Sequence, residues 1–500
     1  LRSSNVPAIA VCLLHSYKNP SHEIAVRDTL NKLLPGSLVS ISSEVLQEFR
    51  EFDRFSSTVL NAALLPVMRG YLDELSNRTK SFGISSPPLI CSSYGCNVSI
   101  ETAKEMPIST MVSGPSAGVV GAVAIGHSAG FNNLITLDMG GTSTDVCLIQ
   151  ESSPLISRQR EIGGWPVTVP SVDVLSIGAG GGSILWLDEG GFLQVGPESA
   201  GAVPGPVSYN LGGDRPTLTD ANVLARRLNP EINLGGVLKL TPDLAERSIR
   251  KLIAEPLGFD INKTLDGIFK VLNSNLLRTV RAVSVERGYD PRECALVAFG
   301  GAGPLHATQL AQEIGVQTVL IPESPGVLCA LGLLMADIRG EFSQSNILMP
   351  TYGSDKKNKT IIHSIRKVFK QLERQATTWL DIEKINKDEA SIHRTIEARY
   401  VGQGHEISIE ADKFLENPKD IDGLIDKFHA AYEDKNGYFS PNMPVEFVHF
   451  RVQLIAPGPR PNIAKIPAGD GNYKRAVYES REVYLGDTYE FQDCPVYLRS

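Results

Sequence analysis

Over the first hundred residues, the apolar positions form two kinds of pattern in turn: short continuous runs and helical spacing. Short apolar runs, typical of buried strands, occupy residues 7–14, 38–42 and 89–91. Helical spacing of apolar residues follows the first two runs, over 23–34 and 45–75. An order in which strands and helices alternate predicts an α/β protein.

From about residue 134 to 220 the pattern changes to short strands separated by glycine. Glycine pairs recur there at 140, 163, 181, 190 and 212, and they predict tight turns and close approaches of the backbone. Further along, the pattern predicts helical structure over 243–286, a strand over 295–299, an amphipathic Lys-rich helix with linker over 355–387, and a smaller β-containing module that includes 398–410 and 445–455.

The composition limits the classes of protein to which the chain can belong. The 500 residues are too many for one hydrophobic core, and 42% hydrophobic residues supply several cores. A net charge of -8 argues against a nucleic-acid partner, and no apolar run is long enough to span a membrane. Seven scattered cysteines without a Cys-x-x-Cys pair favour a reducing, cytoplasmic setting.

The strongest chemical signal is the segment Asp138-Met-Gly-Gly-Thr-Ser-Thr-Asp145 between two apolar strands. Glycines let backbone N–H groups approach an anion, and hydroxyls add donors for phosphate oxygens. The predicted phosphate-binding residues are Gly140, Gly141, Thr142, Ser143 and Thr144. Asp138 and Asp145 are the predicted catalytic residues, and Asp138 is placed to hold a magnesium-bound water. The alternative is an ordinary hairpin turn whose polar side chains bind local backbone.

A second glycine turn, Phe299-Gly-Gly-Ala-Gly-Pro-Leu-His306, joins a strand to a helix. Such a joint places a helix N-terminus beside the turn, which suits a nucleotide, so Gly300, Gly301 and Gly303 are predicted to bind the cofactor. His306 is a candidate ligand or base, or a histidine satisfied by its own backbone. The turn is neither a P-loop nor a Rossmann fingerprint.

A third cluster is the segment Ser176-Ile-Gly-Ala-Gly-Gly-Gly-Ser183, which follows Asp173. From it, Asp173, Gly180 and Gly181 join His306 as candidate substrate residues. No His-Glu-x-x-His motif occurs, which argues against zinc protease chemistry.

Taken in order, these motifs resemble the hydantoinase A/5-oxoprolinase family of the superfamily that includes acetate kinase, sugar kinases, Hsp70 and actin. The resemblance covers nearly the whole chain and includes the segments 7–23, 48–56, 113–122, 138–145, 178–183, 195–202, 219–222, 287–292 and 299–307. It implies an α/β, actin-like ATPase core with a smaller C-terminal β-containing module. In that fold, 138–145 is the second phosphate loop, and Gly300, Gly301 and Gly303 lie on the adenosine side.

The resemblance also implies a function. It predicts hydrolysis of a cyclic amide, such as a hydantoin, 5-oxoproline or a related lactam, driven by ATP and Mg²⁺ through a phosphorylated intermediate. A B-type subunit or fused B-type domain is the expected partner, and a second metal is left open. The alternatives are an ATP-dependent ketone carboxylase subunit and a non-catalytic, actin-like nucleotide-binding protein.

The chain departs from the family pattern in three ways. It has one Asp-x-Gly-Gly-Thr loop where the family usually has two, and the tail that normally follows the segment matching Pro495-Val-Tyr497 is missing. We therefore expect a piece of a longer polypeptide that lacks both ends and binds nucleotide at most weakly. Leu175 stands where many hydantoin-cleaving members have histidine. The expected segments are 1–110, the remainder of the N-terminal domain; 111–345, the core; 346–387, the charged linker and helix; and 388–500, a truncated α+β module.

Overall fold

The structure is a computed structural model that describes residues 6–231, 233–412, 417, 419–458, 460–461, 471–486 and 490–498. The chain divides into two compact units. Unit 1 comprises Leu1–Ser113, Ser157–Ser171 and Ala336–Arg460, and unit 2 comprises Gly114–Ile156, Val172–Met335 and Pro461–Ser500.

The strands are β1 Ala8–Val11, β2 Leu38–Ile41, β3 Leu89–Cys91, β4 Asn97–Ser99, β5 Leu134–Met139, β6 Thr144–Gln150, β7 Ser153–Pro154, β8 Ile156–Ile162, β9 Trp165–Val172, β10 Val174–Ile177, β11 Ser183–Leu187, β12 Leu193–Ser199, β13 Ala295–Phe299, β14 Val319–Leu320, β15 Ile338–Leu348, β16 Ser391–Tyr400, β17 Ile407–Glu410, β18 Val445–Ala456, β19 Val477–Tyr484 and β20 Phe491–Tyr497.

The α-helices are α1 Ser21–Leu33, α2 Ser42–Val45, α3 Glu51–Ser81, α4 Ile100–Glu105, α5 Ser113–Ser128, α6 Leu218–Leu224, α7 Pro242–Ile249, α8 Glu255–Leu257, α9 Ile261–Val283, α10 Gly303–Ile314, α11 Leu328–Met335, α12 Asp355–Glu383 and α13 Asp420–Asn436. A π-helical turn, Arg250–Ala254, connects α7 to α8. Within the described ranges, no helix has both the length and the apolar character needed to cross a bilayer.

The central sheet of unit 2 has the order β10–β6–β5–β13–β14, with β7 at β6. β5, β6 and β10 form an antiparallel meander, and β13 and β14 continue the sheet in parallel on the other side of β5. A meander extended by parallel strands is the arrangement expected for one half of an actin-like ATPase. The α/β, actin-like prediction is confirmed at this level.

Alternate residues of these strands enter two different cores, because successive side chains of a strand point to opposite faces. On β13, Leu296 and Ala298 pack in the core that contains the apolar face of α9. Val297 and Phe299 pack in the core that contains residues of α5 and α11. The sheet is therefore covered on both faces, which explains why its strands read as uninterrupted apolar runs.

Unit 1 is built on a mixed sheet with the order β17–β16–β18–β15–β4–β3. The strand β18 is almost completely buried, and α12 packs on the sheet. The buried residues of α12 recur at helical spacing, as the sequence predicts: Ile362, Ile365, Phe369, Leu372, Ala376 and Trp379. Segments far apart in the sequence thus share one core.

One predicted helix begins later than expected. The apolar pattern predicts a helix from residue 45, but the long helix α3 begins at Glu51. The intervening residues are held by partners distant in the sequence: the Phe49 N–H donates to the Ser345 hydroxyl at 3.0 Å, and Glu48 pairs with Arg451 at 2.6 Å. Tertiary contacts override the local helical spacing here.

Candidate functional site

The candidate site begins at Asp138, near the C-terminal end of β5. Leu134, Ile135, Leu137 and Met139 of this strand are completely buried, and Asp138 is only partly buried. In the register of the sheet, Asp138 lies opposite Asp145 of β6. The structure therefore places the two predicted catalytic carboxylates side by side on one face of a hairpin.

The turn that joins β5 to β6 presents unpaired donors. It is closed by the Gly140 N–H, which donates to the Ser143 carbonyl at 3.1 Å. Among the residues that the structure describes, the amide N–H groups of Gly141, Thr142 and Ser143 have no acceptor. Gly141 and Thr142 are exposed. Successive unpaired N–H groups on an exposed turn are suited to binding an anion.

A second glycine loop, residues 178–183, packs directly on this turn. The Gly181 and Gly182 N–H groups donate to the carbonyls of Gly140 and Gly141, at 3.0 and 2.6 Å. A Cβ atom at Gly180 would lie 2.6 Å from the backbone of Gly141 and Thr142, so no other residue fits there without moving the turn. The predicted substrate residues Gly180 and Gly181 thus lie against the turn 140–143, which the sequence predicts to bind phosphate.

The third glycine loop reaches the same place from β13, which runs parallel to β5. Gly300 has φ +77, and a Cβ atom there would lie 2.6 Å from Oδ1 of Asp138. The Ala302 N–H donates to the Met139 carbonyl at 2.8 Å, and α10 begins at Gly303. Gly301 is exposed, and a Cβ atom there would meet none of the described residues within 4 Å. The three glycine segments singled out in the sequence therefore meet at the turn that follows Asp138.

The electrostatics of Asp138 are unusual for a carboxylate. Burial is the main cause that raises the pKa of Asp138 to about 6; the hydrogen bond from the Cys329 thiol, at 3.4 Å, opposes the rise, and the charge of Asp145 adds to it. Asp145 accepts a hydrogen bond from the Ser176 hydroxyl. A partly buried carboxylate beside a second carboxylate favours the arrival of a cation.

These groups fit magnesium. Mg²⁺ is bound in nucleotide sites by one or two carboxylates together with water and phosphate oxygens, and Asp138 and Asp145 supply carboxylates. Within the described ranges, no group of three or more His, Cys, Asp or Glu side chains could hold a metal ion.

The other candidate substrate residues lie in different surroundings. Asp173 forms an ion pair with Arg287. Leu175 is 37% exposed on β10. His306 is 1% exposed, with its ring 3.3 Å from the Asn222 amide and 3.5 Å from the Arg227 guanidinium. Burial, followed by the charge of Arg227, lowers the pKa of His306 to about 3, so this ring is neutral.

Two contributors to the site are absent from the sequence prediction. Cys329 reaches Asp138 from α11, and its apolar neighbours in the sequence give no indication of this contact. Thr219 anchors the loop 178–183, because its N–H and its hydroxyl both donate to the Gly181 carbonyl, at 2.7 and 2.8 Å. Thr219 stands in a segment that the resemblance includes, but no local pattern ties it to that loop.

Comparison with known proteins agrees with the resemblance. The hydantoinase/oxoprolinase family model matches residues 54–342, and the model of the hydantoinase/oxoprolinase C-terminal domain matches 352–497. Caprolactamase subunit alpha of Pseudomonas jessenii is 34% identical over 99% of this chain and 71% of that protein. The 5-oxoprolinase of Saccharomyces cerevisiae is 31% identical over 91% of this chain, which spans 35% of that longer protein.

Solved structures give the same result. The crystal structure of the ATP-dependent caprolactamase from Pseudomonas jessenii matches with a TM-score of 0.83 at 33% identity, over 99% of this chain and 71% of that chain. The nucleotide-free structure of acetone carboxylase, described as an enzyme of ATP-dependent acetone carboxylation, matches with a TM-score of 0.79 at 28% identity, over 99% of this chain and 71% of that chain. The predicted family and fold class are confirmed.

Proposed function

The chain belongs to the hydantoinase/oxoprolinase family, and we propose that it uses ATP to phosphorylate the oxygen of a cyclic amide, which is then hydrolysed. The observation that carries the proposal is the exposed turn 140–143, where three N–H groups have no acceptor among the described residues and lie beside the pair Asp138 and Asp145. Relatives named caprolactamase and 5-oxoprolinase support a lactam as the substrate class.

The turn and its neighbours would act on the phosphates of ATP. The N–H groups of Gly141, Thr142 and Ser143 would donate to phosphate oxygens, and the loop beginning at Gly300 would approach the nucleotide where a side chain would block it. Asp138 and Asp145 would hold Mg²⁺ through its bound water. When bound, the ion neutralises charge on the transferring phosphoryl group.

The chemistry balances without an oxidant or reductant. The amide oxygen attacks the γ-phosphorus, the bond to the leaving ADP oxygen breaks, and the amide carbon becomes more electrophilic. A first water adds to that carbon and the ring carbon–nitrogen bond breaks, which gives an acyl phosphate and an amine. A second water then attacks the acyl carbon, the carbon–oxygen bond to phosphate breaks, and inorganic phosphate leaves a carboxylate. The protein contributes mainly position and electrostatic stabilisation to the first step.

A second function has a specific observation in its favour. The matched acetone carboxylase structure covers 99% of this chain, and phosphorylation of bicarbonate or of an enolate oxygen would need the same loops. Both functions place ATP at the turn 140–143, and they differ only in the acceptor of the phosphoryl group. A panel of acceptors therefore separates them.

The test uses the complete reading frame together with a B-type subunit, which we propose as the partner. ATP hydrolysis is measured with hydantoins, 5-oxoproline, other lactams, and aryl or alkyl ketones with bicarbonate. We expect lactam-stimulated turnover that Asp138→Ala abolishes and that Asp214→Ala, an exposed aspartate of the same unit, leaves unchanged. Stimulation by ketone and bicarbonate alone would favour the carboxylase. A folded complex that no acceptor stimulates would contradict both and favour a binding protein.

A further inference from the structure

Unit 1 contains a cavity of about 430 Å³ that the ATPase chemistry does not use. Its volume lies in the range of small-molecule sites. The cavity is lined by residues of β4, α4, β15 and α12, and its wall is largely apolar: Leu46, Val98, Met106, Phe342, Trp379 and Ile382. Phe342 and Trp379 meet edge to face with their centroids 6.1 Å apart, which fixes the aromatic part of the wall.

One cation of this wall is Arg339. Its guanidinium lies 4.8 Å from the centroid of the Tyr94 ring. The Tyr94 hydroxyl is itself held by the Gln453 amide at 2.9 Å. Across the part of the chain that the structure describes, no carboxylate lies within ion-pair distance of the Arg339 guanidinium. The stacking holds this charge in place before any ligand arrives.

The other two arginines of the cavity are already neutralised. Arg158 pairs with Glu341 at 2.5 Å, and Arg451 pairs with Glu48 at 2.6 Å. Arg451 also binds Glu397 at 3.0 Å. These ion pairs form a closed network, so neither arginine is available to a ligand without leaving a buried carboxylate unpaired.

The two remaining carboxylates that line the cavity do not neutralise the charge of Arg339. Glu105 is 75% exposed and pairs with Arg69 at 2.5 Å. Glu101 is exposed, so solvent screens its charge. An apolar cavity therefore contains one fixed, uncompensated guanidinium, and carboxylate is the group that a guanidinium binds with the best geometry.

We propose that this cavity binds a small organic monocarboxylate with an apolar body, with Arg339 holding the carboxylate and the wall around Phe342 and Trp379 holding the body. A body of roughly four to eight carbons suits a cavity of this size. The site lies within unit 1, whereas the proposed phosphate loops belong to unit 2, and the proposal does not depend on the proposed ATPase activity.

The experiment titrates the chain with three six-carbon probes: hexanoate, hexan-1-ol and hexylammonium. We expect hexanoate to bind at least about tenfold more tightly than hexan-1-ol, because a charge-assisted hydrogen bond is added to the same apolar contact. Hexylammonium should be the weakest. Hexanoate should also change tryptophan fluorescence in the wild type and not in Trp379→Phe, which locates the bound molecule.

Three variants separate recognition from folding. Arg339→Met should remove the advantage of hexanoate while still binding hexan-1-ol, and that remaining binding shows that the cavity is intact. Arg339→Lys should keep part of the advantage. Arg78→Met, which removes a 71% exposed arginine of the same unit, should behave as the wild type. Equal binding of hexanoate and hexan-1-ol, unchanged hexanoate binding by Arg339→Met, or no binding of any probe would overturn the proposal.

Discussion

Gly300 and Gly301 are adjacent in the sequence, but they differ sharply in what a methyl group would meet. Gly300 has φ +77, and a Cβ atom there would lie 2.4 Å from the Met139 carbonyl oxygen and 2.6 Å from Oδ1 of Asp138. Gly301 has nothing within 4 Å of the equivalent position. We predict that Gly300→Ala destabilises unit 2, whereas Gly301→Ala leaves its stability nearly unchanged.

The magnitude follows from two terms. Placing alanine in the left-handed region costs about 1 kcal/mol. The contacts with backbone and with Asp138 force the strand end to shift, which adds about 1–3 kcal/mol as in other overpacked sites. The sum is about 2–4 kcal/mol, and at about 2–4 °C per kcal/mol for a domain of this size it lowers the melting temperature by about 4–16 °C.

Differential scanning calorimetry of the two variants and the wild type measures this directly. The Gly301→Ala protein should melt within about 2 °C of the wild type, since surface substitutions usually change stability by less than about 0.5 kcal/mol. Equal melting temperatures for Gly300→Ala and Gly301→Ala would refute the close approach of the two loops. So would a larger loss at Gly301.

Further predictions concern buried carboxylates. Burial raises the pKa of Glu48, but the charges of Arg451 and His449 and the hydrogen bonds from Arg451 and Ser343 together outweigh it and lower that pKa from 4.5 to about 2. Because the folded pKa is depressed, this stabilisation is complete above pH 4.5 and is lost as the pH falls towards 2. Urea unfolding of Glu48→Gln should therefore show a loss of about 3–5 kcal/mol at neutral pH and a smaller decline than the wild type between pH 4.5 and 2. The Asp220 carboxylate accepts hydrogen bonds from the N–H groups of Val207, Ser208 and Thr217, at 3.1, 2.7 and 2.8 Å, so Asp220→Ala should cost about 3 kcal/mol or more. Asp260→Ala, which removes only the exposed cap of α9 at Lys263 N, should cost about 1 kcal/mol, and equal losses for the two variants would contradict this account.

The elements with strong local signals could be predicted from the sequence. The strand over 295–299 has the predicted bounds, because a run of five apolar residues followed by glycine is typical of a short buried strand. The turn at 140–143 between two apolar strands could be predicted from its glycines and hydroxyls. Alternation along its two strands could also have placed Asp138 and Asp145 on one face, given the register of the hairpin.

Other features depend on contacts between distant segments. The contact of Cys329 with Asp138 arises because α11 covers the same face of β5, and this packing has no counterpart in the local sequence. The late start of α3 depends on Glu48 finding Arg451. His306 lies near the start of a helix, and this position made it a candidate ligand or base. Its burial against Asn222 results from the packing of distant segments, which the local sequence does not show. Local patterns carry no information about such partners.

The central claim is that ATP phosphorylates the oxygen of the amide. Its most direct test labels the carbonyl oxygen of a stimulating lactam with oxygen-18 and follows the label during turnover by the complete protein with its B-type subunit. The account predicts that the label appears in inorganic phosphate, one atom for each lactam opened. Label retained entirely in the carboxylate of the product would contradict the account, in which the carbon–oxygen bond to phosphate breaks.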